Sequence, residues 1–462
     1  MHGAGRYTRV ASVSAVSTPS PLTGNRLRLR VGAVAHGGHC VARVDEESGV
    51  DTEHVGRVVF VRHTLPGELV TAHVTEDDGG SYFRADAVEV HEPAVGRVEP
   101  PCPAAGPGRC GGCDWQHADV DTQLALKTAV VGESLARFAG PAAEGLDPTV
   151  DSLPGGPLYW RTRTTYAVDR SQEPATLGLR RHRSHEIEPL AMCPISAPGV
   201  GDAPSVRFDP ATLQGGATAM EYVLGDTGTV TTVVHRPAPT RQNRSGQRGR
   251  PNRGHRRPPD VTAVIDGPAE VWHAVEGRSY RVAAAGFWQG HPLAASTFAA
   301  AVVDGLEPRP GDHALDLYAG AGLFTGVLAD LVGADGGVLG LEADPRAAQD
   351  AHDNLTDVTW AVVRQQKVDP ATVAAAAAEL GGVDLVVLDP PRSGAGVAVA
   401  EAVAALAPRR IVYVACDPVA LARDLAAFAT HGYRPTSLRG FDAFPMTHHV
   451  ECVVSLSSAA GS

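Results

Sequence analysis

The chain has 462 residues, 43% of them hydrophobic and 20% charged, with a formal net charge of −12. That length holds two or three domains with real cores, and the acidic balance argues against a general polyanion-binding coat, although a local patch can still bind one. Residues 1–20 lack the compact apolar block of a signal peptide and no apolar run is long enough to span a bilayer, so a cytoplasmic protein is expected. Seven cysteines are too sparse for a disulfide scaffold, yet Cys102, Cys110 and Cys113 crowd together, which suggests a metal.

Residues 1–25 are rich in Ser, Thr, Pro and Ala without periodicity and are expected to form a disordered tail. Across residues 26–95, short alternating runs at 27–31, 58–61 and 68–72 are punctuated by Gly37-Gly38, Pro66-Gly67 and Gly79-Gly80, which predicts a small β-barrel of OB-like architecture. Such barrels often bind oligonucleotides, but a plain β module fits these residues nearly as well. A helix is predicted over residues 120–139, where Leu124, Leu126, Val130, Leu135 and Phe138 recur at helical spacing before Gly140-Pro141. Residues 96–297 read as a central mixed α+β domain. Within it, residues 236–260 carry eight arginines among Gly, Pro, Asn and Gln, a disordered basic loop that either tracks a phosphate backbone or is a tolerated insertion.

From residue 298 to the end, apolar strands alternate with Ala-rich helices, as in a doubly wound α/β sheet. Strands are expected at 313–318, 337–341, 383–388 and 411–415, and ligands of such sheets bind outside the carboxyl ends of the strands. The first strand runs into Asp316-Leu317-Tyr318-Ala319-Gly320-Ala321-Gly322, a Gly-x-Gly turn that lets a ligand approach the backbone. It lacks the third glycine of a dinucleotide fingerprint. Glu342, about twenty residues on, stands where a carboxylate accepts hydrogen bonds from a ribose, so the pair describes a nucleoside pocket. The third strand ends in Asp389-Pro390-Pro391-Arg392, a carboxylate on a rigid turn. The fourth ends in Cys416-Asp417-Pro418, which delivers a thiol to the same edge as a candidate nucleophile. Glu451 lies in an apolar strand, where a carboxylate needs a partner or a task.

These pieces, in this order, resemble the S-adenosylmethionine-dependent RNA uracil-5-methyltransferases, and the resemblance runs from about residue 26 to 454. It rests on residues 316–324, on Asp389-Pro390-Pro391-Arg392, on Cys416-Asp417-Pro418 and on His449-Val450-Glu451. It implies a Rossmann-like class I methyltransferase domain at residues 298–462 and identifies the barrel as a TRAM domain, with Phe60-Val61 and Leu65-Pro66-Gly67-Glu68 in support. It also implies a segment at Phe287-Trp288-Gln289 whose glutamine lies between cofactor and target base. Uracil carbon 5 is too weak a nucleophile to take a methyl group unaided, so a thiolate first adds to carbon 6 and a base later removes the carbon 5 proton. Cys416 is then the nucleophile and Glu451 the base. Asp389 and Gln289 position a uracil flipped out of its helix, and Gln289, Asp316, Tyr318, Gly320, Gly322, Glu342 and Asp389 hold S-adenosylmethionine. Two positions depart from the family: Ala319 replaces a usual cysteine, and His291 an asparagine, which leaves contacts near Gln289 open.

Cys102, Cys110, Cys113 and the distant Cys193 supply four thiolates, enough for tetrahedral zinc or a four-iron cluster. The resemblance, through Cys110-Gly111-Gly112-Cys113 and Met192-Cys193-Pro194, points to [4Fe-4S], although the loop between the first two cysteines is two residues longer than the family's. The implied partner is RNA, ribosomal rather than transfer RNA, bound by a monomer that needs no membrane. A radical enzyme does not fit the cysteine spacing. A non-catalytic RNA-binding protein would leave Cys416 and Glu451 without a purpose.

Overall fold

The computed structural model describes residues 21–171, 173–213, 216–238 and 261–458. Most of the basic stretch predicted at 236–260 therefore lies outside the described residues, as do residues 1–20 of the predicted tail. Two compact units emerge, one running to Ala35 and from His39 to Val95, the other taking in His36–Gly38 and everything from Gly96. Among the described residues no helix is long and apolar enough to cross a membrane.

The first unit is a six-stranded sheet of β1 (Arg26–Arg30), β2 (Val34–Ala35), β3 (His39–Arg43), β4 (Val58–Arg62), β5 (Leu69–Glu76) and β6 (Tyr82–Glu92), in the order β1-β5-β6-β4-β3-β2. Strict alternation in β1 sends Leu27 and Leu29 inward and three arginines outward. Leu27, Leu29, Val59, Val61, Val70, Val74 and Phe83 close the interior. Each such side chain stabilises the fold by about 1.5–3 kcal/mol.

The second unit begins with α1 (Val120–Ser134), capped by Asp119 on the Thr122 amide and prolonged by a π-helical turn over Leu135–Ala139. Then come β7 (Val150–Ser152), β8 (Arg163–Asp169), β9 (Thr176–Arg180), β10 (Ile187–Pro189), the short α2 (Ala203–Val206), β11 (Ala219–Leu224), β12 (Val230–Arg236) and β13 (Val261–Asp266). All except β7 and α2 form an antiparallel sheet, β10-β9-β8-β11-β12-β13. A hairpin of β14 (Glu270–Val275) and β15 (Arg278–Ala283) leads on to α3 (Ala294–Leu306).

The parallel sheet is built from β16 (His313–Leu317), α4 (Leu323–Val332), β17 (Gly337–Glu342), α5 (Pro345–Asn354), β18 (Ala361–Gln365), α6 (Pro370–Leu380), β19 (Leu385–Leu388), α7 (Val397–Ala405), β20 (Arg410–Ala415), α8 (Pro418–Thr430), β21 (Tyr433–Asp442) and β22 (Glu451–Ser458). Its order is β18-β17-β16-β19-β20-β22-β21-β7. Strands β16 to β20 run parallel, and β22 is inserted antiparallel between β20 and β21. The expected strand at 383–388 starts two residues later, and the one expected around Glu451 starts at that residue and runs on to Ser458. This is the doubly wound class I methyltransferase fold, with its chain reversal at β16 and β19, where such sheets open a cleft.

Three strand-to-helix steps use the same dipeptide. Asp344-Pro345, Asp369-Pro370 and Asp417-Pro418 each place the carboxylate on two amides of the first helical turn, at 2.9–3.0 Å, with proline in that turn. Such a cap contributes about 1 kcal/mol. The Asp389-Pro390-Pro391 step differs, because the next helix starts only at Val397 and the Asp389 carboxylate is not spent on a cap.

Candidate functional site

Strand alternation sorts the chemistry at the sheet's carboxyl edge. Along β20, Val412 and Val414 face one core and Ile411, Tyr413 and Ala415 the other. Cys416 follows Ala415 and so falls on the side of Val414. In β22, Val453 shares that side, whereas Cys452 and Val454 pack on the opposite one. Glu451, paired with Phe441 of the same core, therefore joins Cys416, while Cys452 is turned away.

Cys416 is a half-buried free thiol. Burial, and then the charges of Glu451 and Asp389, push it up to about 12, while Arg392 pulls it down. Glu451 is buried, and desolvation followed by the charge of Asp389 holds its carboxyl well above the usual range, again against Arg392. Desolvation and Asp316 raise Asp389 to about 7. Cys416, Glu451 and Asp389 thus lie within electrostatic reach of one another in desolvated surroundings, with Arg392 opposing the shifts of Cys416 and Glu451. Such perturbed, mutually coupled groups are the signature of a reactive site.

The turn after β16 forms the adjoining half. Tyr318 takes a left-handed conformation, its amide and that of Ala319 donating to the Leu341 carbonyl at 2.9 and 3.0 Å. Gly322 caps α4 at φ 84°, where a side chain would be strained and its Cβ would stand 3.2 Å from Ala351. Glu342 accepts from the Gly320 amide at 2.9 Å and from Asp344 at 2.6 Å, bracing two turns while each oxygen keeps a lone pair for a ligand hydroxyl. Asp316 is fully buried and its Oδ2 accepts from Thr325 at 2.6 Å, while its Oδ1 has no partner among the described residues. Burial raises it to about 7. An orphaned buried acceptor and a glycine-lined turn fit a polar nucleoside ligand.

Gln289 lies on the segment leading into α3, half-buried, beside Trp288, which stacks on His273 at 4.8 Å. The neighbouring His291 is buried, stacks on Trp160 at 6.0 Å and is pushed down to about 4 by desolvation, so it is neutral; its Nδ1 accepts from the Leu293 amide.

Three contributors are missing from the sequence-derived site. Arg392 donates to His449 Nδ1 at 2.6 Å, and His449 is held down near 3, chiefly by burial, so it stays an acceptor. A cation next to two carboxyl groups and a thiol was the available signal. Asp424 accepts from the Tyr413 hydroxyl at 2.6 Å and from the Ala395 and Gly396 amides at 2.8 and 3.2 Å, pinning the 389–396 turn to α8. Its signal is a carboxylate on the buried stripe Leu421, Leu425 and Phe428.

The four predicted metal ligands lie close enough for Cys193 to raise Cys102, Cys110 and Cys113 electrostatically. All are free thiols. Burial is the main cause that raises Cys110 to about 11 and Cys113 further, and the Gly112 amide donates to Cys110 Sγ at 3.4 Å. Among the described residues, however, no three His, Cys, Asp or Glu side chains are gathered closely enough to hold a metal ion, which departs from the expectation. The physical reason is that ligation needs thiolates, whereas burial holds Cys102, Cys110 and Cys113 in their protonated, neutral form. The soft donor set and its apolar lining of Ala104, Leu179 and Leu190 still fit a thiophilic metal group.

Fold and cleft together define a class I methyltransferase. The profile described as tRNA (Uracil-5-)-methyltransferase matches residues 379–459, the TRAM domain profile residues 22–88, and that of protein-L-isoaspartate(D-aspartate) O-methyltransferase residues 269–375. An uncharacterised RNA methyltransferase of Streptomyces avermitilis is 46% identical, over 95% of this chain and 99% of its own. The 23S rRNA (uracil(1939)-C(5))-methyltransferase RlmD of a Shewanella species is 28% identical, over 89% and 94%. The Pyrococcus abyssi tRNA (uracil-54, C5)-methyltransferase, solved with S-adenosyl-L-homocysteine, shares the fold at a TM-score of 0.65 and 20% identity, over 93% of this chain and 99% of that one. The chain belongs to the RNA methyltransferase family.

Proposed function

We propose that the protein methylates carbon 5 of a uridine in RNA, with S-adenosylmethionine as the methyl-donating substrate. The observation that carries this is the cleft of Cys416, Glu451, Asp389 and Arg392 at the sheet's carboxyl edge. The Cys416 thiolate adds to carbon 6, forming a C–S bond and moving the electron pair toward carbon 5 and the carbonyl oxygen. Carbon 5 then takes the methyl group as the donor's sulfonium–carbon bond breaks. Glu451 removes the carbon 5 proton, the carbon 5–carbon 6 double bond re-forms and the thiolate leaves. A carboxylate whose proton affinity is raised by burial suits that step better than an exposed one. Arg392 is the group that lowers Cys416 toward a thiolate. Asp389 and Gln289 hold the polar edge of the flipped base, and Asp316, Tyr318, Gly320, Gly322 and Glu342 hold the donor.

The substrate is read as 23S ribosomal RNA rather than transfer RNA, supported by the name of the Shewanella relative, with the enzyme working as a cytoplasmic monomer. Cys102, Cys110, Cys113 and Cys193 would hold a [4Fe-4S] cluster, which would supply structure, since methyl transfer moves no net electron. Anaerobically purified protein should then contain about four irons, and Cys110→Ser should lose them.

The decisive experiment offers labelled S-adenosylmethionine with in vitro transcripts of 23S ribosomal RNA and, separately, transfer RNA, to the unaltered enzyme and to Cys416→Ala. The expected result is 5-methyluridine in the ribosomal transcript and none with the variant. Label in transfer RNA alone would transfer the reading to that substrate. Undiminished label with Cys416→Ala would overturn the mechanism.

A further inference from the structure

Helix α1 reaches the catalytic edge through two buried polar side chains that the mechanism above does not use. The buried Lys127 ammonium donates to Asp442 Oδ1 at 2.5 Å and to the Phe444 carbonyl at 3.1 Å. Asp442 ends β21, and the same Oδ1 accepts from the Phe444 amide at 3.2 Å. One turn earlier on α1, Gln123 is equally buried. Its Oε1 accepts from the Met446 amide at 2.7 Å, while its Nε2 donates to the Ala118 carbonyl at 2.9 Å and lies 3.4 Å from the Met446 sulfur. Met446 itself takes a left-handed conformation at φ 69°, unfavourable for an unbranched non-glycine residue unless its surroundings impose it. Its carbonyl accepts from the Asp114 and Trp115 amides, both at 3.0 Å, directly after Cys113.

The segment held this way is the one that delivers the base. Past Met446, the Thr447 hydroxyl donates to the Phe444 carbonyl at 2.8 Å, and the His448 amide donates to Asp114 Oδ2 at 3.1 Å. His449 receives Arg392, and Glu451 opens β22. Replacing a buried ion pair by apolar groups of equal volume is often neutral or stabilising, so stability alone does not explain an ammonium here. What a directed polar clamp adds is a fixed path for the backbone.

We propose that Gln123 and Lys127 are positioning residues that hold residues 442–449 so that Glu451 faces the carbon 5 proton. Their effect falls on proton removal and enzyme release, after methyl transfer is complete. The inference rests on the reading of Cys416 and Glu451 given above. It also assigns the 113–115 segment a mechanical part, since the loop that carries Cys110 and Cys113 grips the same turn from its other side.

The chemistry provides a readout that a merely structural role would not move. If the base is displaced after the methyl group has been transferred, the carbon 5 proton stays and the C–S bond to carbon 6 cannot break. A covalent protein–RNA species that survives denaturation then accumulates. The test uses the full chain, S-adenosylmethionine and the transcript that accepts label. It compares Gln123→Met, Lys127→Met and the charge-neutral Lys127→Met/Asp442→Asn, the last guarding against a variant that fails to fold because Asp442 is left unpaired. Expected are first-turnover methyl transfer within about threefold of the unaltered enzyme, release slowed about tenfold or more, as small misplacements of reacting groups do, and a matching rise in denaturation-resistant adduct. Glu451→Gln serves as the control: if it builds no adduct, the mechanism fails and not the clamp. If it does, and folded clamp variants lose first-turnover and steady-state rates together without adduct, or lose neither, the clamp is refuted.

Discussion

Replacing Asp316 by asparagine should remove a pH dependence from the stability of the methyltransferase core. The carboxyl is fully buried, accepts one hydrogen bond from Thr325, and is raised from 3.8 to about 7, mainly by burial. A carboxyl whose folded pKa lies above its unfolded value favours the fold while it is protonated. Its contribution is full below about pH 3.8 and is lost as pH rises through about 7. Between pH 5 and pH 8 the unfolded chain releases the proton well before the folded one does, and integration over that window gives a loss of about 3 kcal/mol. For a domain of this size that amounts to roughly 5–10 °C in melting midpoint. Calorimetric scans of the unaltered protein and Asp316→Asn at both pH values provide the comparison, because the variant's own offset cancels in the difference of differences. Equal pH slopes in the two proteins would refute the reasoning.

Arg392→Gln should leave the Cys416 thiol higher, so the methylation rate would rise toward more alkaline pH than in the unaltered enzyme, which a pH–rate profile of single-turnover transfer reads directly. Glu451→Gln should transfer one methyl group per enzyme and then stall as a covalent adduct, visible on a denaturing gel. Asp424→Ala orphans the Gly396 amide and the Tyr413 hydroxyl and leaves the Ala395 amide only the Tyr413 oxygen, so it should cost about 2–3 kcal/mol of stability. It should also raise KM for RNA as the 389–396 turn loosens, whereas Asp424→Asn should keep most of both.

How much could be read in advance depended on whether the signal was local. The strands at 313–317 and 410–415 and the helix from Val120 follow from apolar periodicity and Asp or Gly punctuation, and they appear within a residue or two of expectation. The sheet order, by contrast, is not local. Nothing in Val150–Ser152 announces that it joins the far edge beside β21, almost 300 residues later. Ala361–Gln365 is half exposed, so its hydrophobicity is too weak to mark it as a strand. The site divides in the same way. Cys416, Asp389 and the Gly320 turn end apolar runs and stand out, while Asp424 and Lys127 are single charges inside helices whose partners lie across the fold. A side chain chosen for what it meets in space leaves no periodicity behind it.

Strand β22 writes its chemistry in parity. Glu451 and Cys452 are neighbours in the chain, yet one turns to the cleft and the other to the opposite core. A single residue gained or lost in the connection before them, if absorbed as a slip of the strand, would put a second thiol opposite Cys416 and turn the carboxylate toward Tyr413, Ala415 and Leu438 of the neighbouring strands. A gain or loss of two would restore the faces. Length variation in that connection among functional descendants of this sequence is therefore confined to even steps, unless a bulge takes up the odd one.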